Sequence, residues 1–187
     1  MPKDSTSKKT SGNLKLILIG AILVVAILAV VFFVLPALTG SGNGFPSAQQ
    51  ISSIFGSTFT ASGIVTANST MVAQISSGYN NTVVSVSGEN YTSATAKITI
   101  GELKFNAQGT SKLQSVLNNL NSNSTQKAAL QAAGASIEQY NGVTYIISPQ
   151  GTVEGFDGST FFEILIQGLA PSQSQLNSLA QAVISSI

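Results

Sequence analysis

Two glutamates in the last quarter of the chain, Glu154 and Glu163, have a spacing that could support acid–base chemistry. If the dipeptide Asp157-Gly158 closes a two-residue hairpin turn, they become diagonal neighbours on one sheet face, about 7–8 Å apart at Cα. Carboxyl groups at that separation suit an inverting glycoside hydrolase. Two solvated acids show the same pattern, and few aromatic residues beyond Phe156 and Phe161 lie nearby to build a cleft. We therefore keep a Glu154/Glu163 hydrolase as an alternative and predict no catalytic residues.

Nucleophilic catalysis has little support in the composition. The chain contains no His and no Cys, so neither a Ser-His-Asp nor a Cys-His arrangement is possible. Ser-x-x-Lys pairs occur at Ser124/Lys127 and Ser5/Lys8, but serine is abundant enough for such spacings to arise by chance. We expect Ser124 to cap the helix that carries Lys127.

Metal, cofactor and nucleic-acid partners are not predicted. Soft metals would need thiolate or imidazole ligands, which the chain does not have. Neither an acidic calcium-binding loop nor a glycine-rich phosphate-binding loop occurs. Basic residues cluster only in the N-terminal tail, which argues against a nucleic-acid surface.

Asparagine sequons provide possible modification sites. The pattern Asn-x-Ser/Thr occurs at Asn68, Asn80, Asn90 and Asn123. Such patterns are expected by chance in a chain this rich in Asn and Ser. The topology described next makes these four positions available, and we expect at least one of them to be glycosylated if the host is archaeal.

A long apolar segment near the N-terminus predicts a membrane span. Residues 16–38, LILIGAILVVAILAVVFFVLPAL, carry no charge and would form a helix of roughly 34 Å, enough for a hydrocarbon core of about 30 Å. A cleavable signal has a shorter apolar region and a small-residue cleavage site, so we expect this segment to be retained.

The charges beside the span predict its orientation. Four lysines precede it (Lys3, Lys8, Lys9 and Lys15), opposed only by Asp4, and no lysine follows until Lys97. By the positive-inside tendency, residues 1–15 are expected in the cytoplasm and the large domain outside. The lipid bilayer is thus a predicted partner, through residues 16–38.

A flexible linker, residues 39–46, leads into an outer domain, residues 47–187. A capping box at Ser47–Gln50 and a stop at Gly56 predict a short helix. Residues 57–105 are predicted as strands, including Thr82–Ser87 and Tyr91–Phe105 joined by a turn at Gly88-Glu89-Asn90. The apolar positions of the second strand change parity at Gly101, which predicts a β-bulge there.

Helices and hairpins alternate in the remainder. Apolar residues at helical spacing predict a helix with its buried stripe on Leu113, Val116, Leu117 and Leu120, and a further helical piece covers about Thr125–Ala133. Turns at Asn141-Gly142 and Asp157-Gly158 predict two hairpins and hence a four-stranded meander. A capping box at Ser172–Gln175 begins a terminal helix with its stripe on Leu176, Leu179, Ala180, Val183 and Ile187. The fold class is α+β, with an antiparallel sheet and helices packed on it.

The element order over residues 91–187 resembles the PsbP/Mog1-like fold of many extracytoplasmic lipoproteins and sensor domains. This resemblance implies a small ligand-binding or partner-docking domain and assigns no site residues. The layout of the whole chain is similar to single-span surface proteins of thermoacidophilic archaea. It also looks like the sulfolobicins in being small, membrane-associated and exported.

A membrane-anchored, non-catalytic binding or interaction domain of the cell envelope is the function that these features favour. The outer domain holds four lysines and six carboxylates among many neutral polar residues, which suits an acidic environment. The partner would be an envelope protein or a small ligand. The alternatives are a surface-borne antagonistic protein, a pilin-like filament subunit disfavoured because Gly20 lies inside the apolar run, and the hydrolase.

Overall fold

The computed structural model describes residues 44–187. The predicted cytoplasmic tail, the predicted span and residues 39–43 of the predicted linker lie outside the described residues. Among the helices of residues 44–187, none is long and apolar enough to cross a bilayer.

Five helices and eight strands make up this part of the chain. The helices are α1 (Ala48–Phe55), α2 (Ser69–Gly78), α3 (Ala107–Ser122), α4 (Ser124–Ala132) and α5 (Gln173–Ile184). The strands are β1 (Thr60–Ala61), β2 (Val65–Thr66), β3 (Val83–Thr92), β4 (Lys97–Phe105), β5 (Ser136–Tyr140), β6 (Val143–Ile147), β7 (Val153–Asp157) and β8 (Thr160–Gln167).

The strands form one antiparallel sheet in the order β1-β3-β4-β8-β7-β6-β5, and β2 also pairs with β3. The predicted α+β class is confirmed, and so is the meander, since β5 to β8 are neighbours in chain order. The connection from β4 passes through α3 and α4 to the far edge at β5, and the meander then returns to β4. β4 and β8 therefore lie in the centre of the sheet.

Helices cover both faces of the sheet. On the face that we call the α1–α5 face, Ile51 of α1 and Leu179 of α5 pack in one core cluster with Ile98, Tyr145 and Phe162 of the strands. Those five side chains are buried, with at most 2% of their surface exposed. This cluster is the main hydrophobic core.

The opposite face, which we call the α2–α4 face, is covered by the other three helices. Tyr79, the residue that ends α2, stacks edge-on against Phe105 of β4, with the ring centroids 6.1 Å apart. The amide of Asn121 on α3 donates to the hydroxyl of Thr144 on β6 at 3.4 Å. The two faces together give a helix–sheet–helix sandwich, in which the central strands are removed from water on both sides.

The capping predictions for the first and last helices are confirmed. Ser47 and Gln50 form a reciprocal capping box at α1, as do Ser172 and Gln175 at α5. Gly56 ends α1 in the left-handed conformation, with φ of 67°. These side chains satisfy the amide groups that a helix leaves unpaired at its first turn.

Two predictions about β3 and β4 were wrong. The hairpin turn lies at residues 93–96 and not at Gly88-Glu89-Asn90, since Thr92 pairs with Lys97. β4 is paired without interruption through Gly101, so no bulge occurs there. The parity change has another cause. Ile98 and Ile100 face the α1–α5 core, whereas Leu103 and Phe105 face the α2–α4 layer.

The helix predictions between the strands also need correction. Helix α2 lies in a segment predicted as strand, and Asn68 caps it by accepting from the amide of Met71 at 3.0 Å. The predicted stripe of α3 is only partly buried, because Leu120 is 4% exposed while Val116 is 48% exposed. Ile187 of the terminal stripe lies beyond the end of α5 and is also exposed.

Candidate functional site

The register of the last hairpin places Glu154 directly opposite Glu163. Asp157 pairs with Thr160, so residues 158–159 form the two-residue turn, and the predicted turn at Asp157-Gly158 was wrong by one residue. The two glutamates are therefore direct cross-strand partners and not diagonal neighbours. Directly opposite residues have Cβ atoms roughly 4.5–5.5 Å apart. The longer separation on which the inverting-hydrolase hypothesis depended does not hold.

Glu163 lies in the interior of the α2–α4 face. Only 1% of its surface is exposed, and both of its carboxyl oxygens are buried without a hydrogen-bond partner in the described part of the chain. On the β4 side its cross-strand neighbour is Gly101, whose own neighbour on β3 is Gly88. Across the four strands β3, β4, β8 and β7, the cross-strand neighbours are therefore Gly88, Gly101, Glu163 and Glu154, so that two glycines lie beside two carboxyl groups.

The buried hydroxyl of Tyr79 belongs to the same environment. Like the oxygens of Glu163, it has no hydrogen-bond partner among the described residues. Burial raises the pKa of Tyr79 to about 12, with additional contributions from the charges of Glu163 and Glu154. The phenol directly after α2 therefore lies within electrostatic reach of the carboxyl pair. Tyr79 was not predicted as a site residue, because its segment was predicted as strand.

Burial also controls the ionisation of the pair. It raises the pKa of Glu163 to about 8, and repulsion from Glu154 acts in the same direction. Burial raises the pKa of Glu154 as well. Because two neighbouring carboxylates repel each other in a site of low polarity, the pair favours a state that retains a proton.

A second group of buried acids lies on the α1–α5 face. Glu102 on β4 is 4% exposed and one of its oxygens has no partner among the described residues. Burial raises its pKa to about 7, although Lys104 and a hydrogen bond with Ser87 oppose the shift. The signal in the sequence was a charged residue inside an apolar strand, which sequence analysis did not follow up.

Tyr91 connects this acidic group to the start of the described chain. Its hydroxyl donates to the carbonyl oxygen of Pro46 at 2.6 Å and to Oε2 of Glu89 at 2.7 Å. Glu89 is 7% exposed. Burial and the hydrogen bond to Glu89 both raise the pKa of Tyr91 above its usual range. The last residue of the predicted linker is therefore attached to β3 near the C-terminal end of that strand.

The predicted modification sites lie in different settings. Asn80 is exposed in the turn after α2, with φ of 54°. Asn68 and Asn123 cap α2 and α4 through their Oδ1 atoms, which leaves the Nδ2 atom available. Asn90 lies within β3, where its Oδ1 accepts from the hydroxyl of Thr99 at 2.7 Å. Glycosylation of at least one of these positions stays a prediction.

The remaining predicted residues form no joint site. Asn123 and not Ser124 caps α4, and Ser124 is exposed in the first turn of that helix. Ser5 and Lys8 lie outside the described residues. A surface depression of about 380 Å³ lies between α1 and α5, lined by the uncharged residues Ser47, Gln49, Gln50, Ser53, Ile54 and Ala182. Within residues 44–187, no group of three or more acidic, His or Cys side chains is arranged to hold a metal ion.

The fold and the site define an antiparallel α+β domain with helices on both sheet faces and carboxyl groups buried beneath each helical layer. Comparison of the sequence with protein-family models finds no match, and comparison with curated proteins finds none. Among solved structures, the extracellular domain of PknH from Mycobacterium tuberculosis is similar, with a TM-score of 0.45 and 8% identity. The match covers 76% of this chain and 92% of that chain. A likeness at this level transfers no function.

Proposed function

We propose that the chain is a single-pass membrane protein of the cell envelope, whose described domain lies outside the membrane and binds a partner without catalysing a reaction. The observation that carries this proposal is the uncharged run of residues 16–38, preceded by four lysines and followed by none until Lys97. The length of this segment favours retention in the bilayer, and its charge asymmetry favours an orientation with the lysine-rich end in the cytoplasm.

The setting of the carboxyl groups supports a non-catalytic role. A general acid or base must come within hydrogen-bonding distance of the group it serves. Glu163 is almost completely buried under the α2–α4 layer, and the chain has neither His nor Cys to act in its place. The uncharged lining of the depression between α1 and α5 suits hydrogen bonding to a neutral ligand or protein surface.

The absence of Cys from the sequence allows a direct test of the topology. Two single-cysteine variants of the full chain, Ser5→Cys in the tail and Ser115→Cys on the exposed side of α3, are treated on intact cells with a membrane-impermeant maleimide. We expect Ser115→Cys to be labelled at once, and Ser5→Cys only after the membrane is permeabilised. Labelling of the tail variant alone, or of neither variant, in intact cells would contradict the proposal.

The same Ser115→Cys variant tests for a partner. A photoactivatable maleimide attached at this position is irradiated on intact cells, with the cysteine-free chain as control. We expect a discrete cross-linked species that the control does not show. If labelling succeeds but only the uncross-linked chain is recovered, and the same holds for a cysteine at the exposed Ser53 of the depression, the binding role is wrong.

A further inference from the structure

The Glu154–Glu163 pair has features of a site for a very small ligand. Glu163 is 1% exposed, both of its oxygens lack hydrogen-bond partners in residues 44–187, and the hydroxyl of Tyr79 nearby is also buried without one. A buried ionised carboxylate without partners is strongly disfavoured. A proton, unlike a metal ion, requires neither a cavity nor additional ligands.

The charged groups around the pair do not compensate a negative charge on Glu163. On the sheet, the neighbouring titratable group is Glu154 of β7, which would repel the charge. Tyr79, directly after α2, is a neutral phenol whose hydroxyl makes no hydrogen bond to Glu163. The lysines of the elements on this face are Lys97 at the start of β4, Lys112 on the exposed side of α3 and the half-exposed Lys127 on α4. None of these lysines is among the groups that shift the pKa of Glu163.

We propose that the Glu154–Glu163 pair is a proton-binding site of the folded domain, and that loss of its proton loosens the α2–α4 layer from the sheet. Glu163 lies between two central elements, with β4 on one side and β7 on the other. Water can reach a newly ionised carboxylate there only if a helix moves away. We expect the layer over this face to be the part that moves, because only Gly109 and Leu120 of the 16 residues of α3 are buried, and Val116 is 48% exposed.

The direction of the pH effect follows from linkage. Because the pKa of Glu163 is raised from 4.5 to about 8 in the folded chain, folding takes up a proton in this range. The layer is therefore fully packed below about pH 4.5 and loses its packing as the pH rises towards 8. A domain with this behaviour is suited to an acidic environment.

The first test follows the carboxyl group itself. The full chain is labelled with ¹³C-glutamate and studied by NMR in detergent micelles. The side-chain carboxyl signal of Glu163 is assigned by its absence from the spectrum of Glu163→Gln, and its chemical shift is then followed as a function of pH. We expect a midpoint above pH 6, and a lower midpoint for Glu163 in Glu154→Gln, because the repulsion between the two groups is removed. A Glu163 midpoint at or below pH 5 would overturn the proposal.

The second test follows the layer. Amide hydrogen exchange, corrected for its intrinsic pH dependence, is compared at pH 5 and pH 8. We expect protection of α2 to α4 to fall at least tenfold at pH 8 relative to α5, and this loss to be absent in Glu163→Gln. The exposed-site variant Asp157→Asn serves as the matched control and retains the loss. Equal protection at the two pH values, or a loss that persists in Glu163→Gln, would refute the switch.

The outcome remains decisive if Glu163→Gln does not fold. Glu154→Gln keeps Glu163 and removes only its repulsive neighbour, so we expect the loss of protection to become smaller in that variant. If Glu154→Gln loses as much amide protection at pH 8 as the unsubstituted chain does, the result contradicts the proposal. Neither measurement depends on the side of the membrane on which the domain lies, so its failure would leave the proposed topology standing.

Discussion

Tyr91 is the residue through which the beginning of the described chain is attached to the sheet. Its single hydroxyl proton is shared between the carbonyl of Pro46 and the buried carboxyl of Glu89. Since Pro46 immediately precedes the capping residue of α1, this contact also fixes where that helix begins. The position of α1 over the core thus depends on a hydroxyl group as well as on apolar packing.

We expect Tyr91→Phe to lower the free energy of unfolding by about 1–3 kcal/mol, because it leaves two buried acceptors without a donor. Urea denaturation of the full chain in detergent measures the change. The control is Tyr140→Phe, which alters a half-buried tyrosine and is expected to change stability by less than about 0.5 kcal/mol. Equal effects of the two substitutions would show that the Tyr91 hydroxyl has no special role.

Contacts of this kind cannot be read from sequence spacing. Tyr91 and Pro46 are 45 residues apart, and nothing near either residue indicates the other. Capping boxes are local and were predicted correctly, since both partners lie within four residues. The burial of Glu163 was missed for a related reason. Two solvated acids were the alternative interpretation of the Glu154/Glu163 spacing, whereas helices distant in sequence cover that face of the sheet.

At the scale of elements, β7 and β8 pack closely through a glycine. A Cβ atom added at Gly155 would lie against the ring of Phe162 and 3.1 Å from the Cβ of Tyr145. Phe162 is fully buried in the α1–α5 core and cannot move aside without disturbing its neighbours. The glycine is therefore required by the close approach of this ring.

We expect Gly155→Ala to destabilise the domain by about 1–3 kcal/mol through overpacking. Gly78→Ala is the matched control, because a Cβ atom there meets nothing within 4 Å and the residue is the last of α2. Alanine is favoured over glycine in helices by about 1 kcal/mol, so this control should be neutral or slightly stabilising. Thermal unfolding of both variants checks the difference, and a destabilised control would contradict the packing argument.

The elements that sequence analysis predicted correctly are those with strong local signals. The left-handed backbone at Asn141 and Gly142 matches the predicted turn, with Tyr140 paired to Val143. In the last hairpin, the turn is formed by residues 158–159 and not by the predicted residues 157–158. The pairing of β7 and β8 with the rest of the sheet determines this register, and a rule based on turn residues alone does not include that pairing. Helix α2 did have a signal, since Met71, Val72 and Ile75 follow the capping residue Asn68 at helical spacing.

At the scale of the whole molecule, the two helical layers leave few acids in contact with water. Of the six carboxyl groups in residues 44–187, Glu89, Glu102 and Glu163 are buried, Glu138 and Glu154 are half-buried, and Asp157 is exposed. The composition predicted a chain suited to acid from its low content of charge. Carboxyl groups buried under both layers are easiest to keep neutral when the pH is low, so we expect the folded domain to be most stable in acid.

The stability of the whole domain should therefore decrease as the pH rises. The pKa values of Glu102 and Glu163 are raised from 4.5 to about 7 and about 8, so their contributions are complete below about pH 4.5 and are lost as the pH passes through these values. We expect the thermal midpoint of the full chain to fall between pH 5 and pH 8, and to fall less in Glu102→Gln. The exposed-site control Asp157→Asn should follow the unsubstituted chain.

Glu102 and Glu163 face opposite helical layers. A variant with both glutamates replaced therefore shows whether the pH dependence of stability arises from the buried acids of both layers or from one site alone. If both layers bury acids that must be neutral, Glu102→Gln/Glu163→Gln should show a flatter pH profile than either single variant, and a higher midpoint at pH 8 than the unsubstituted chain. A profile as steep in the double variant as in the unsubstituted chain would mean that the decrease arises from general charge repulsion. In that case the burial of acids under both layers would not be the cause of the pH dependence.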